Sequence, residues 1–271
     1  MGRVKKLDDT DYFYRILAVL FNVSSEVAVV NYPKNPNRRS LDAVAVLKNG
    51  RRIFIKITYD AVNVSKAEAS ELVDMARVLD AAPLIVSEYM SGIELSDGVA
   101  YERHGVRIVS SNTLRDVASG RSNIYVYQSK DVFKVSIDSE RMKRLRLDKG
   151  LSLGDVAYVI GTTRKTIYEY EKGSMEPTVD KAERLVSILG DEILKPLDLF
   201  EPPKKARERG SRISVDVEEE RLIVDALKRH GYDVFHARRT TVDVGGSLRS
   251  CKLVFIVHRR QEKESRLLER V

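Results

Sequence analysis

The chain has little of what disulfide-bonded or metal-stabilised proteins depend on, with one cysteine, four histidines and no tryptophan among 271 residues. Cys251 has no second cysteine to pair with, which excludes an intramolecular disulfide and any zinc site built from several cysteines. The histidines are scattered rather than spaced as metal ligands. We therefore expect a protein of a reducing compartment that has neither a structural metal nor another cofactor.

Long apolar runs are also missing. The longest, Ile16 to Phe21, is much shorter than the roughly 20 residues that cross a bilayer. The first residues, Met1 to Asp9, are charged and lack the apolar core of a secretion signal. The expectation is a cytoplasmic protein without a membrane partner.

Positive charge is concentrated in particular segments, although the net charge is only +7. Residues 141–173 carry eight basic and four acidic side chains, whereas residues 174–203 carry three basic and seven acidic ones. Residues 204–212 are basic again, with five basic side chains and one acidic. Basic charge gathered in this way is typical of a surface that faces phosphates, which favours double-stranded DNA as the partner.

The periodicity of apolar residues predicts a multidomain protein of α/β plus all-α class. Residues 1–139 read as an α/β domain with a hairpin at Asn49-Gly50, and residues 140–203 are purely helical. Residues 204–271 begin with a basic linker and continue as a small α/β domain. Its predicted elements are a helix over Val217–Arg229 and strands near Asp233–Ala237, Thr240–Val244 and Lys252–His258.

The helical segment contains two short helices with clear start and stop signals. Ser152 is placed to cap the first, with Asp155 returning the bond, and Gly161 can adopt the positive φ that ends it. Thr163 is placed to cap the second helix, which Gly173 closes. Two short helices joined by a glycine-containing turn predict a helix-turn-helix, whose second helix enters the major groove of DNA.

The second helix leaves Arg164, Lys165, Tyr168 and Glu169 on its outer face. Arginine and lysine bond guanine, glutamate accepts from cytosine, and threonine reaches phosphate or a thymine methyl group. An ordinary helical bundle with a solvated charged face is the alternative. The complete set of expected DNA-binding residues is Ser152, Thr162, Thr163, Arg164, Lys165, Thr166, Tyr168, Glu169 and Lys172.

The pattern over residues 140–195 resembles the phage Cro and lambda-repressor-like family, also called the Xre family. The residues that carry the resemblance are Leu145-Arg146, Gly150-Leu151-Ser152, Val156-Ala157, Gly161-Thr162-Thr163, Ile167, Glu171, Gly173 and Pro177. The resemblance implies base readout by Arg164, Lys165 and Glu169. It also implies a buried, structural ion pair between Arg146 and Glu171. Leu153 departs from the family, which often has a phosphate-binding glutamine there.

The N-terminal domain resembles the PD-(D/E)xK nuclease superfamily, with Asp42 on one hairpin strand and Lys56 on the other. That superfamily holds its metal with an aspartate and with an acidic residue two positions before the lysine, where this chain has Phe54. We therefore expect no catalytic residues, no metal site and no enzyme activity. Asp243 and Phe255 repeat the spacing of Asp42 and Phe54, which suggests an internal duplication with Val257 in the place of Lys56.

The whole arrangement is similar to an archaeal family of helix-turn-helix transcriptional regulators. The resemblance implies a sequence-specific DNA-binding protein that acts in transcription regulation, and we expect a homodimer because one recognition helix reads only a few base pairs. Two alternatives stay open. One is a metal-dependent nuclease targeted by the helix-turn-helix, and the other is a coactivator that bridges the basal transcription machinery.

Overall fold

The computed structural model describes residues 9–129, 131–203, 215 and 217–257. The chain divides into two compact units, one made of residues 1–95, 103–111 and 199–271 and the other of residues 96–102 and 112–198. The predicted basic linker and His258 lie outside the described residues. The boundaries of the three domains stay a prediction.

Helices and strands alternate along the first part of the chain, and four consecutive helices follow before a last α/β segment. In chain order the elements are α1 (Asp9–Val23), β1 (Ser24–Val29), β2 (Ala43–Leu47), β3 (Arg52–Ile57), α2 (Lys66–Leu79), β4 (Ala82–Val86), β5 (Tyr89–Met90), β6 (Ile93–Glu94), β7 (Val99–Arg103), β8 (Val106–Val109), α3 (Ser111–Ala118), β9 (Val126–Ser129), β10 (Val132–Val135), α4 (Ser139–Asp148), α5 (Leu153–Ile160), α6 (Arg164–Lys172), α7 (Val179–Leu189), α8 (Glu218–Arg229), β11 (Asp233–His236), β12 (Val244–Leu248) and β13 (Cys251–Phe255).

The first unit is built on a mixed sheet with the strand order β1-β2-β3-β4-β8. The first three strands are antiparallel neighbours, and β4 runs parallel to both β3 and β8. The hairpin predicted at Asn49-Gly50 joins β2 to β3, and Gly50 adopts the positive φ that such a turn needs. Helix α2 connects β3 to β4 and begins with a capping box between Ser65 and Glu68. This is the α/β architecture expected for the N-terminal domain.

The last α/β segment repeats the order of the first one, because α8, β11, β12 and β13 follow one another as α1, β1, β2 and β3 do. Asp42 donates its N–H to the carbonyl of Ile55 at 2.8 Å and accepts the N–H of Ile57 on its carboxylate at 2.8 Å. We call this arrangement an aspartate clip, since it fastens the start of β2 to the end of β3.

The same clip recurs in the last segment. Asp243 donates its N–H to the carbonyl of Phe255 at 3.0 Å and accepts the N–H of Val257 on its carboxylate at 2.7 Å. Val257 therefore corresponds to Ile57, and Ile256 stands where the first copy has Lys56. The placement of Val257 opposite Lys56 was wrong by one residue, because the turn between β12 and β13 is one residue shorter than that between β2 and β3.

Several strands differ from the sequence-based expectation. The strand predicted over Thr240–Val244 is displaced, since β12 begins only at Val244 and continues through Gly245 and Gly246. A Cβ on Gly245 would lie 2.2 Å from Cε1 of Phe235, so glycine is needed there because the ring of Phe235 covers the strand. Strands β5, β6 and β7 were not predicted.

The second unit contains β7, β9 and β10 together with helices α3 to α7. Helices α4 to α7 pack around one apolar core, which confirms the predicted lambda-repressor-like bundle. The most buried of these core residues are Met142, Val156, Ile160, Ile167, Leu185 and Ile193. None of the helices in the described part of the chain has both the length and the apolar character that crossing a bilayer requires.

Candidate nucleic-acid interface

Helix α5 begins and ends where the sequence predicts. The hydroxyl of Ser152 accepts the N–H of Asp155 at 3.1 Å, and the Asp155 carboxylate accepts the N–H of Ser152 at 2.7 Å. These hydrogen bonds, together with the charge of Arg164, lower the pKa of Asp155. Gly161 ends the helix at φ 71°. The chain can therefore turn within three residues into the next helix.

Helix α6 is held from both ends and from one face. The hydroxyl of Thr163 accepts the N–H of Thr166 at 3.2 Å, and Gly173 ends the helix at φ 72°. Ile167 and Tyr170 are buried in the core of the bundle. This anchoring leaves the opposite face of a short, fixed helix directed away from the core.

The residues predicted to bind DNA lie on and beside this outer face. Arg164, Lys165, Tyr168 and Lys172 are exposed on α6, and Ser152 and Thr163 are exposed at the starts of the two helices. Thr162, Thr166 and Glu169 are half-buried. The set thus lies at the start of α5, in the turn between the two helices and along α6.

Glu169 has a local partner that the sequence did not reveal. The hydroxyl of Ser174 donates to its carboxylate, and the N–H of Ser174 donates to its carbonyl at 3.1 Å. One carboxylate oxygen is therefore engaged just beyond the C-terminal end of α6. A side chain fixed in this way loses less rotational freedom on binding than a free one.

Arg164 lies against the start of the preceding helix. A Cβ placed on Gly154 would lie 2.8 Å from Nε of Arg164 and 3.2 Å from its Cζ. The guanidinium therefore occupies the space that a side chain at Gly154 would need. The helical periodicity that placed Arg164 outside gave no sign of this contact, because it depends on how α5 and α6 pack.

This contact yields a prediction for Gly154→Ala. Alanine is the better helix former, so we expect the free energy of unfolding to rise by up to about 1 kcal/mol while Arg164 is displaced. Amide hydrogen exchange along α5 measures the stability, and selection from random duplexes measures the specificity. A variant that keeps the wild-type base preference would show that the position of Arg164 does not matter for readout.

A buried ion pair connects α6 to α4. The side chains of Arg146 and Glu171 are only 8% and 4% exposed, and Nη2 of Arg146 donates to Oε2 of Glu171 at 3.0 Å. Hydrogen bonding to Glu171 raises the pKa of Arg146. Nη1 of Arg146 also donates to the carbonyl of Leu151 at 2.8 Å, just before the cap of α5. One guanidinium on α4 therefore contacts both α6 and the residue that precedes the cap of α5.

The nuclease-like centre of the first unit has a different character. Asp42 is fully buried, and its Oδ2 lies 3.1 Å from Nζ of Lys56, which also donates to the carbonyl of Pro36 at 2.6 Å. Arg39 lies 3.9 Å from the other carboxylate oxygen. Burial raises the pKa of Asp42, and the charge of Lys56 opposes this effect. The carboxylate is thus enclosed by protein cations.

These residues do not fit the metal that the superfamily implies. Phe54, at the position of the second ligand, is buried and offers no oxygen. Within the described ranges, no cluster of three or more histidine, cysteine, aspartate or glutamate side chains is placed to hold an ion. Within the described residues, this centre therefore lacks the second ligand of such a metal site.

Comparison with known proteins finds a matching family for the nuclease-like domain and for the helix-turn-helix. The description "PD-(D/E)XK superfamily domain" matches residues 11–124, and "Helix-turn-helix" matches residues 142–192. A protein of Aeropyrum pernix, provisionally named an HTH-type transcriptional regulatory protein, is 41% identical over 266 residues, which cover 96% of this chain and 80% of the relative. The chain therefore belongs to the same family as this HTH-type transcriptional regulatory protein.

Other archaeal members are more distant. An Archaeoglobus fulgidus protein of the same provisional name is 29% identical over 242 residues, which cover 86% of this chain and 74% of that protein. For a Pyrococcus furiosus relative the identity is 32%, and the match covers 69% of this chain and 59% of the relative. No solved structure matches this chain.

These findings confirm the resemblances to the Xre and nuclease superfamilies and to the archaeal regulators. The chain is a helix-turn-helix protein of a family of DNA-binding transcriptional regulators that carries a PD-(D/E)XK-type domain. Sequence reasoning missed the roles of Gly154 and Ser174. The small residue in the first turn of α5 could have indicated the role of Gly154. No spacing in the sequence indicates the role of Ser174.

Proposed function

We propose that the protein regulates transcription by placing α6 in the major groove of specific DNA sites. The observation that carries the proposal is the anchoring of α6 by its caps, by its apolar face and by the Arg146–Glu171 pair, with its cationic face exposed. A helix fixed in this way can contact bases without first becoming ordered, so binding costs little conformational entropy.

Within this proposal the residues divide into two groups. Arg164, Lys165 and Glu169 contact base edges, where arginine and lysine favour guanine and glutamate favours cytosine. Phosphates are held by the starts of α5 and α6, where unpaired backbone N–H groups and hydroxyls meet. Since Leu153 has no polar group, the phosphate contacts beside it fall to Ser152. The remaining members of the second group are Thr162, Thr163, Thr166, Tyr168 and Lys172.

Selection from random duplexes followed by Arg164→Ala tests base readout. We expect the variant to lose about 1–3 kcal/mol on the selected site and to relax specificity at one base position, because one bidentate contact is removed. Affinities are measured at one fixed salt concentration, since the phosphate contribution depends on salt.

Arg121→Ala is the matched control, because Arg121 is an exposed arginine of the same unit that pairs with Asp116 outside the helix-turn-helix. It should leave both affinity and specificity unchanged. Equal losses for Arg164→Ala on selected and random DNA would contradict base readout. A selection that enriches no sequence would instead favour a coactivator that contacts the basal transcription machinery.

We further infer that the protein acts as a homodimer in the cytoplasm. Two recognition helices about 34 Å apart would read a pseudo-palindrome of two half-sites. The selected sequences report this directly through the spacing of their half-sites. A single half-site without a repeat would argue for a monomer on DNA.

We also infer that the protein is not an enzyme, although it carries a PD-(D/E)XK-type domain. Phe54 in place of a metal ligand and the enclosure of Asp42 by Lys56 and Arg39 support this inference. Incubation with linear and branched DNA plus magnesium or manganese is the test, and we expect no cleavage. Cleavage that copurifies with the protein would support the metal-dependent nuclease as the second candidate.

A further inference from the structure

Glu169 is the one acidic side chain among the residues proposed to bind DNA, and Ser174 sets its orientation. Ser174 follows Gly173, whose positive φ of 72° ends α6. The Ser174 hydroxyl donates to the Glu169 carboxylate and also lies 3.2 Å from the Glu169 carbonyl. The N–H of Ser174 donates to the same carbonyl at 3.1 Å. The carboxylate of Glu169 is therefore held towards the C-terminal end of α6.

This orientation separates Glu169 from Lys165. The two residues are four positions apart on α6, a spacing at which side chains of opposite charge can pair on a helix surface. In the part of the chain that the structure describes, no ion pair joins them. Lys165 is exposed, so its ammonium stays available to a base or to a phosphate. The Ser174 contact thus keeps two opposite charges of the proposed interface apart.

Without the Ser174 hydroxyl, the carboxylate of Glu169 is free to turn towards Lys165. Such a pair would have to break before either side chain reached DNA. A side chain that is already fixed also loses less conformational freedom when it binds. Both effects favour DNA binding by a chain with a hydroxyl at position 174.

One oxygen of the Glu169 carboxylate remains available for a ligand. The Ser174 hydroxyl occupies Oε2, whereas Oε1 accepts no hydrogen bond from the described residues. An ionised carboxylate only accepts hydrogen bonds, so the free oxygen suits an amino group. In the major groove, cytosine presents such a group at N4. A fixed carboxylate with one free oxygen is therefore suited to a single, directed contact with cytosine.

We propose that Ser174 is a positioning residue that determines the base specificity of α6. It holds Glu169 so that Oε1 meets the amino group of cytosine, and it leaves Lys165 unpaired for its own contact with DNA. Ser174 acts through Glu169 and requires no contact of its own with DNA. The inference rests on the proposed DNA-reading function and adds the residue that orients its acidic side chain.

Selection from random duplexes with the full chain and with Ser174→Ala tests the proposal. We expect Ser174→Ala to bind the site that the wild-type chain selects about two- to tenfold more weakly, because Glu169 must then become ordered on binding. Its base preference should relax at the position that Glu169→Ala also relaxes. Ser174→Thr keeps a hydroxyl and should restore both the affinity and the preference.

A cycle of variants separates this role from a purely structural one. In a chain that already carries Glu169→Ala, Ser174→Ala should change neither affinity nor base preference, because the side chain through which it acts is gone. A general loss of helix stability would weaken binding equally in both backgrounds. Ser187→Ala is the matched control, since Ser187 is an exposed serine of the same unit, and its hydroxyl donates to the carbonyl of Arg184 at 2.7 Å. It should leave DNA binding unchanged.

The orientation of Glu169 can also be measured without DNA. Three-bond couplings about the Cα–Cβ bond of Glu169, measured by nuclear magnetic resonance, should report one staggered rotamer in the wild-type chain and averaged rotamers in Ser174→Ala. Averaged couplings in the wild-type chain would overturn the proposal before any DNA is added.

Two binding results would overturn the role of Ser174 alone. One is a Ser174→Ala variant that selects the wild-type site with unchanged or higher affinity. The other is an equal loss of affinity with and without Glu169→Ala. A wild-type chain that enriches no sequence would instead overturn the proposed function, and this inference with it.

Discussion

Replacing Glu171 by alanine should lower the local free energy of unfolding of the helix-turn-helix by about 3–5 kcal/mol. The variant leaves Arg146 charged in a site where its side chain is only 8% exposed, so the cost of burying that charge is no longer offset. Because the chain has two compact units, hydrogen exchange of the amides in α4 and α6 is the suitable measurement.

Glu169→Ala is the matched control on the same helix. Glu169 is half-buried and its carboxylate accepts from Ser174, so we expect a loss below about 1 kcal/mol. Replacing Arg146 and Glu171 together by methionine should cost less than Glu171→Ala alone, since no charge is then left buried. Similar losses for Glu171→Ala and Glu169→Ala would contradict the structural role assigned to the pair.

Asp42→Ala should destabilise the first unit by about 3–5 kcal/mol. The substitution leaves Lys56, which is 3% exposed, without its carboxylate, and it removes the acceptor of the Ile57 N–H. Denaturant unfolding followed by circular dichroism measures the loss, because a chain without tryptophan offers no indole fluorescence. Hydrogen exchange of the amides in β3 shows whether this loss of stability lies in the first unit.

The repeated clip provides the control. Asp243→Ala removes the acceptor of the Val257 N–H, but the position that corresponds to Lys56 is Ile256, so no buried lysine is left uncompensated there. We expect a loss of about 1–3 kcal/mol. The pair Asp42→Ala and Lys56→Met should recover part of the loss of the single variant. No recovery would mean that the charge of Lys56 is not the cause.

The sequence predicts best the elements that short-range chemistry determines. Ser152, Gly161 and Thr163 define the two short helices because each cap acts within three residues, and Asn49-Gly50 defines its hairpin for the same reason. Strand β12 was misplaced because Gly245 belongs to a strand only when the ring of Phe235 covers it, and that contact joins different strands.

The candidate site shows the same difference between features that neighbouring residues determine and contacts between distant elements. Helical periodicity was sufficient to place Arg164 and Lys165 outside, whereas the contact of Arg164 with Gly154 depends on the packing of two helices. The pair of Arg146 and Glu171 came from family resemblance alone, since 25 residues separate its members. Distant side chains meet only through the fold, and single-residue patterns carry no record of that.

The aspartate clips change how a nuclease test on this chain has to be read. Loss of cleavage after the removal of an acidic residue is usually taken as proof that the residue is catalytic. Asp243 makes the same backbone hydrogen bonds as Asp42, although Ile256 stands at its lysine position, so these bonds are structural. Inactivity after Asp42→Ala would therefore report a damaged scaffold. The more informative experiment adds a carboxylate instead of removing one. Installing a carboxylate with Phe54→Glu asks whether the site around Asp42 can bind a metal ion, and misfolding would not explain any activity that this variant gains.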